Sequence, residues 1–224
     1  DGRAGGAHDA RRLGDAAMLG GVAMASVLFD CLFWLFGFLR MSTVAFTAQS
    51  LGSGETSELR AILLRGLIVA ALVGAALIAL QIPLATLLLN AMGGSEGVTG
   101  AAKTYFTIRI WSSPLALGNY VVLGWLIGQA RAKLALGMQI TINLINVAAT
   151  VVLVLVFDFG IAGAAIAALI AEAAGLLLGL LIARHLSKGQ FAASRALLFD
   201  RAKLMRMLSV NRDIMIRTAS LIAA

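Results

Sequence analysis

The apolar positions of this chain fall into long unbroken runs, with polar residues gathered between them. From Ala17 to Leu39 there are 23 residues, and Asp30 is the only charge among them. At about 1.5 Å per residue a helix of that length covers roughly 35 Å, enough to cross a bilayer core of about 30 Å. Arg40 and a tail of small and polar residues follow, so Arg40 reads as a marker of the membrane boundary. Four more runs come after: Ala61 to Asn90, Tyr105 to Ala130, Leu134 to Phe157 and Ile161 to Ala183. A last segment, Asp213 to Ala224, reads as the start of another span. The pattern predicts an all-α polytopic transmembrane bundle with helices at about 17–50, 61–90, 105–130, 134–157 and 161–184. Pro83 is expected to kink or end the second run, and Pro114 falls inside the third.

Composition agrees with a membrane setting. The chain is 60% hydrophobic and 13% charged, with a mean hydropathy of +0.94; soluble domains carry about 25% charged residues. A soluble core of this length could not hide so much apolar surface. The net charge of +7 invites a nucleic-acid partner, but the basic residues sit in the loops, where topology explains them. With the first loop outside, ten lysines and arginines between Arg60 and Arg212 fall in inner loops; only Arg3, Arg11, Arg12 and Lys103 fall in outer ones. Residues 1–16 then form an extracytoplasmic loop, residues 185–211 a cytoplasmic linker and residues 212–224 the start of the next span. The linker carries Leu197, Leu198, Leu204, Met205 and Leu208 on one helical face, with Arg201, Lys203 and Arg206 between them. That pattern suits a basic amphipathic helix on the inner leaflet, or a solvated linker. A multi-pass protein of the cell inner membrane is expected. The chain begins without methionine or a signal-peptide pattern, so it reads as part of a longer protein.

Chemistry is sparse. Cys31 is the single cysteine, and His8 and His185 lie in loops without ligands at metal spacing. No P-loop, dinucleotide motif or nucleophile–base set is present. The expectation is a protein that is not an enzyme and needs no cofactor or bound metal. Polarity at membrane depth is the informative signal. Gln139, Asn143, Asn146 and Thr150 recur at intervals of four, three and four, which places them on one helical face. Amides in hydrocarbon must be paired or wet, so this face lines a cavity or bonds another helix. Glu172 stands mid-span among alanines and glycines, and Asp30 is placed similarly in the first run. Ionisation is expensive there, so each is a candidate for taking a proton from one side and giving it to the other, or a neutral, hydrogen-bonded or arginine-paired acid. Arg109 sits one turn into its run and Arg65 near the inner end of its own; both are expected to snorkel, as is Arg40, with Arg109 alternatively pairing a carboxylate or anionic group. The small-residue run from Gly160 to Gly179 permits close helix approach.

Four stretches carry a family resemblance: FWLFGFLRMSTVAFTAQSLG, YFTIRIWSSPLALGNYVVLGWLIGQARAK, NLINVAATVVLVLVFDFGIAGAAIAALIAE and VNRDIMIRT. In this order they resemble the multidrug and toxic compound extrusion (MATE) transporters, in particular the DinF-like branch, over nearly everything from Ala17 onward. The resemblance implies a partial first lobe of a twelve-helix, two-lobe transporter, with the missing helices of the same transporter and the bilayer as partners. It implies export of cationic or amphipathic small molecules, xenobiotics among them, in exchange for protons or sodium by alternating access. The family's first helix bears an acid important for coupling, and no position here stands for it. In the fifth helix Asn143 and Asn146 match the branch pattern, while Thr150 stands where an acid is often found. Ala168 stands where the sixth helix often has threonine. Glu172, on that sixth helix, is the candidate to compensate. Such a fragment would be inactive alone. A lipid-linked precursor flippase, which would need a more basic cavity, and a non-transporting membrane scaffold or truncated product are the alternatives.

Overall fold

A computed structural model describes residues 20–93 and 95–188, with single positions at 200, 205, 209 and 220. The expected N-terminal loop, the amphipathic helix of the linker and the final partial span lie outside the described residues. The described chain is helical throughout. Its order is α1 (20–35), α2 (Phe38–Gly52), α3 (Thr56–Ala79), α4 (Gln81–Met92), α5 (Glu96–Arg109), α6 (Ser113–Gly128), α7 (Ala132–Thr150) and α8 (Gly160–Leu186). Five stretches among the described residues are long and apolar enough to cross a membrane: Gly20–Gly52, Thr56–Ala79, Glu96–Gly128, Ala132–Val156 and Gly160–Leu186.

Local chemistry sets the breaks. α1 passes into α2 through a tight turn in which the Phe36 and Gly37 N–H groups donate to Phe33 and Trp34 at 3.0 Å, so the two form one continuous span. The second apolar run divides at Leu80, three residues before Pro83. Proline has no N–H for the Ala79 carbonyl and its ring crowds that carbonyl, so the chain turns there and Pro83 sits in the first turn of α4, where no N–H is needed. Pro114 acts in the same way. The helix tightens to a 3-10 turn at Ile110–Ser112, and Pro114 then opens α6. At its far end α7 widens into a π-helical turn, Val151–Val156, and Asp158 adopts φ of 55° before α8 begins.

α6 is the hub. Twelve of its 16 residues are buried, and Leu117, Val121, Val122 and Leu126 are fully so. A helix apolar all round must be covered all round; α2, α3 and α8 pack on it, and α7 and α5 pack on α8. Leu72, Ile82, Leu87, Leu155 and Leu177 are exposed on the outside of the bundle, where lipid tails cost them nothing. Small residues permit the central contacts. A Cβ on Gly124 would lie 2.6 Å from the Arg40 carbonyl oxygen, and one on Gly128 2.6 Å from Thr47 Cβ. The small-residue run of α8 behaves likewise, since Gly179 receives Val122 of α6 and Met138 of α7. Gly124→Val should therefore push α2 off α6 and cost about 1–3 kcal/mol, because a backbone carbonyl cannot move aside. The expected result is a lower midpoint for loss of the monodisperse peak when the detergent-solubilised protein is heated.

Candidate ion-coupling site

A buried amide and a carboxylate meet where α6 packs on α8. Glu172 stands in the middle of α8, and Asn119 in the middle of α6 is 2% exposed. The Asn119 amide donates from Nδ2 both to the Glu172 backbone carbonyl at 2.9 Å and to its carboxylate Oε2 at 2.6 Å. Asn119 Oδ1 is buried without a hydrogen-bond partner among the described residues. Arg109 closes α5 on the side of α8, its guanidinium 5.7 Å from the centre of the Phe29 ring. Its Nη1 is also buried without an acceptor among the described residues. On the next face of α6 the Tyr120 ring carries the Arg40 guanidinium 5.9 Å from its centre. Asp30, Arg40, Arg109 and Glu172 all lie close enough to Tyr120 for their charges to reach its hydroxyl. Asn119 is buried; around it Glu172, Arg109 and Tyr120 are half-buried, while Asp30 and Arg40 are exposed.

The arginines have three different settings. Arg40 is exposed on the long helix Gly20–Gly52, with its guanidinium over the Tyr120 ring. Arg109 is deeper than one turn, because the helix starts at Glu96 and Arg109 is the last of 14 residues in α5. Arg65 does not snorkel into water. It is 3% exposed and pairs with Glu58, two turns back on α3, at 2.9 Å.

The face of α7 has a different setting. Its buried seam is Ala135, Met138 and Ile142, which pack toward α8, and the polar stripe runs beside that seam. Gln139 and Asn143 are exposed, Asn146 and Thr150 half-buried. Thr150 donates to Asn146 Oδ1 at 3.3 Å within the helix. Among the described residues, Gln139 and Asn143 bond no other helix, and the stripe does not meet the Glu172 cluster. Groups of histidine, cysteine and carboxylates fit to hold a metal ion are absent among the described residues. A cavity of about 550 Å³ opens near Asn90, Glu96, Thr99 and Lys103, between α4 and α5 and away from the cluster.

Asn119 and Tyr120 are the residues that sequence reasoning missed. The signal was present, an amide in the middle of an apolar run, as for Asn146. A single polar residue shows no period, however, and its partner lies 53 residues away.

The sequence profile of the MatE family matches residues 10–152. The chain belongs to the MatE family. It is 38% identical to the DNA damage-inducible protein F of Escherichia coli K12 over 201 residues, which is 89% of this chain and 44% of that protein. Among solved structures it resembles a MOP superfamily transporter from Pyrococcus furiosus, described as having a binding pocket of reverse polarity, with a TM-score of 0.72 at 20% identity over 95% of this chain and 50% of that one. It also resembles the outward-facing and inward-facing conformations of a multidrug resistance MATE family transporter. Their TM-scores are 0.68 and 0.69 at 20% identity, over 91% and 92% of this chain and 49% of each of those chains. The chain therefore spans about half the length of the relatives it matches. The MatE fold confirms the helical, membrane-spanning class, and the DinF-like resemblance agrees with the E. coli relative.

Proposed function

We propose that this chain serves as most of the first lobe of a cation-coupled efflux antiporter in the cell inner membrane, exporting amphipathic or cationic small molecules by alternating access. The observation that carries the reading is the Glu172 carboxylate, held at 2.6 Å by a buried amide in the middle of the bundle. An ionisable group at that depth is expensive and is retained where a proton or ion must pass. The matches to an outward-facing and an inward-facing structure at nearly equal TM-scores support a lobe that keeps its shape while the whole molecule rocks. The polar stripe from Gln139 to Thr150 is solvent-ready in this lobe and supplies the cavity wall that a cargo would meet. The chemistry required is ion exchange and binding, with no covalent step. In cells lacking their own pumps, the full-length transporter should lower accumulation of a lipophilic cationic dye, and a protonophore or sodium removal should restore it. Equal accumulation with and without the protein at the membrane would contradict the proposal.

A further inference from the structure

The grip of Asn119 on Glu172 has a polarity that only one orientation of the amide allows. A backbone carbonyl oxygen can only accept, so the atom 2.9 Å from the Glu172 carbonyl is the amide nitrogen. The same nitrogen lies 2.6 Å from Oε2, so the amide donates to the carboxylate as well. Oδ1 is then left in the buried interior with no donor among the described residues. A buried orphan acceptor is costly and calls for an explanation. Protonation of Glu172 supplies one, because a carboxylic acid gains a single O–H donor beside the amide that already holds it. The helices are close enough for the exchange to be direct. Gly175, one turn after Glu172, has no side chain, and a Cβ there would stand 3.3 Å from Asn119 Nδ2.

Resting on the antiport reading above, we propose that Asn119 is the positioning residue of the coupling carboxylate, donating to Glu172 when it is ionised and accepting from it when it holds a proton. A proton arriving from water adds to a carboxylate oxygen. The new O–H turns to Oδ1, and Nδ2 keeps its bond to the backbone carbonyl. Release returns the proton to water and restores the Nδ2–Oε2 bond, with no other group changing its proton. The charged groups facing this exchange are Arg109 from α5 and, around Tyr120, Arg40 from α2 and Asp30 from α1.

The test uses the full-length transporter in proteoliposomes. Asn119→Leu removes donor and acceptor, and Asn119→Asp keeps the shape but replaces the donor. Each should displace the pH of half-maximal efflux by about threefold or more in proton concentration, and neither should add to the effect of Glu172→Gln. A folded variant with lowered maximal rate but an unmoved pH midpoint overturns the proposal, since a merely structural role predicts that result. Should both variants fail to fold, infrared difference spectra of the parent protein with isotope-labelled asparagine decide the matter. An asparagine amide band must shift together with the carboxylic band that Glu172→Gln removes, and an amide band that stays fixed overturns the proposal. Unchanged coupling in Glu172→Gln itself removes the antiport role of Glu172 and the proposal with it; lost coupling there with an unmoved Asn119 midpoint removes only the proposal.

Discussion

Glu172→Gln should abolish proton-driven efflux and leave the protein folded. Glutamine has the same length as glutamate, and its carbonyl oxygen can still accept from Asn119 Nδ2, so the α6–α8 contact at 2.6 Å survives. What the amide cannot do is bind and release a proton. Uphill export under an imposed pH gradient is expected to fall by about tenfold or more, within the range over which two ligands of one protein usually couple. Cargo binding, measured by fluorescence quenching in detergent, should change little. A sodium ion needs only oxygen ligands, and glutamine offers one. Retained sodium-driven efflux alongside lost proton-driven efflux would therefore assign Glu172 to the proton alone. Unchanged proton-driven efflux would take Glu172 out of the mechanism.

Glu58→Ala is expected to be among the most destabilising single substitutions in the lobe. Glu58 and Arg65 pair at 2.9 Å with side chains 10% and 3% exposed, next to the turn that joins α2 to α3. Taking away one member of a buried pair removes a charge-assisted hydrogen bond from the other, at a cost of about 1.5–3 kcal/mol. The same region holds the Trp125 indole N–H against the Leu59 carbonyl at 2.8 Å, which ties α6 to the start of α3. Loss of Glu58 should thus loosen the α3–α6 contact as well. Heating the solubilised protein and following the monodisperse fraction should show a midpoint several degrees below the parent. Glu58→Leu with Arg65→Met should recover most of the difference, because apolar residues of similar volume remove the desolvation cost of both charges. A midpoint for Glu58→Ala equal to that of the parent would contradict this assignment.

The number of membrane-spanning helices was legible because charge-free runs of this length have few alternatives in a chain of this composition. Helix starts were less so. Glu96 to Thr104 is helical but polar enough to hide from an apolar pattern, and that hid the depth of Arg109. The stripe Gln139, Asn143, Asn146 and Thr150 was legible as one face from its spacing. Its use was not, because the surfaces it would meet are not among the described residues. Glu172 announced itself as a lone acid among alanines; Asn119 did not, since its meaning depends on a partner one helix away that only the packing of α6 on α8 supplies.

Proton flux in proteoliposomes holding the folded full-length transporter and a pH-sensitive dye tests cation-coupled export most directly. Addition of a transported amphipathic cation should start a proton movement in the opposite direction that grows with cargo concentration and is absent in Glu172→Gln. Cargo movement with neither proton nor sodium counterflow would contradict the antiport.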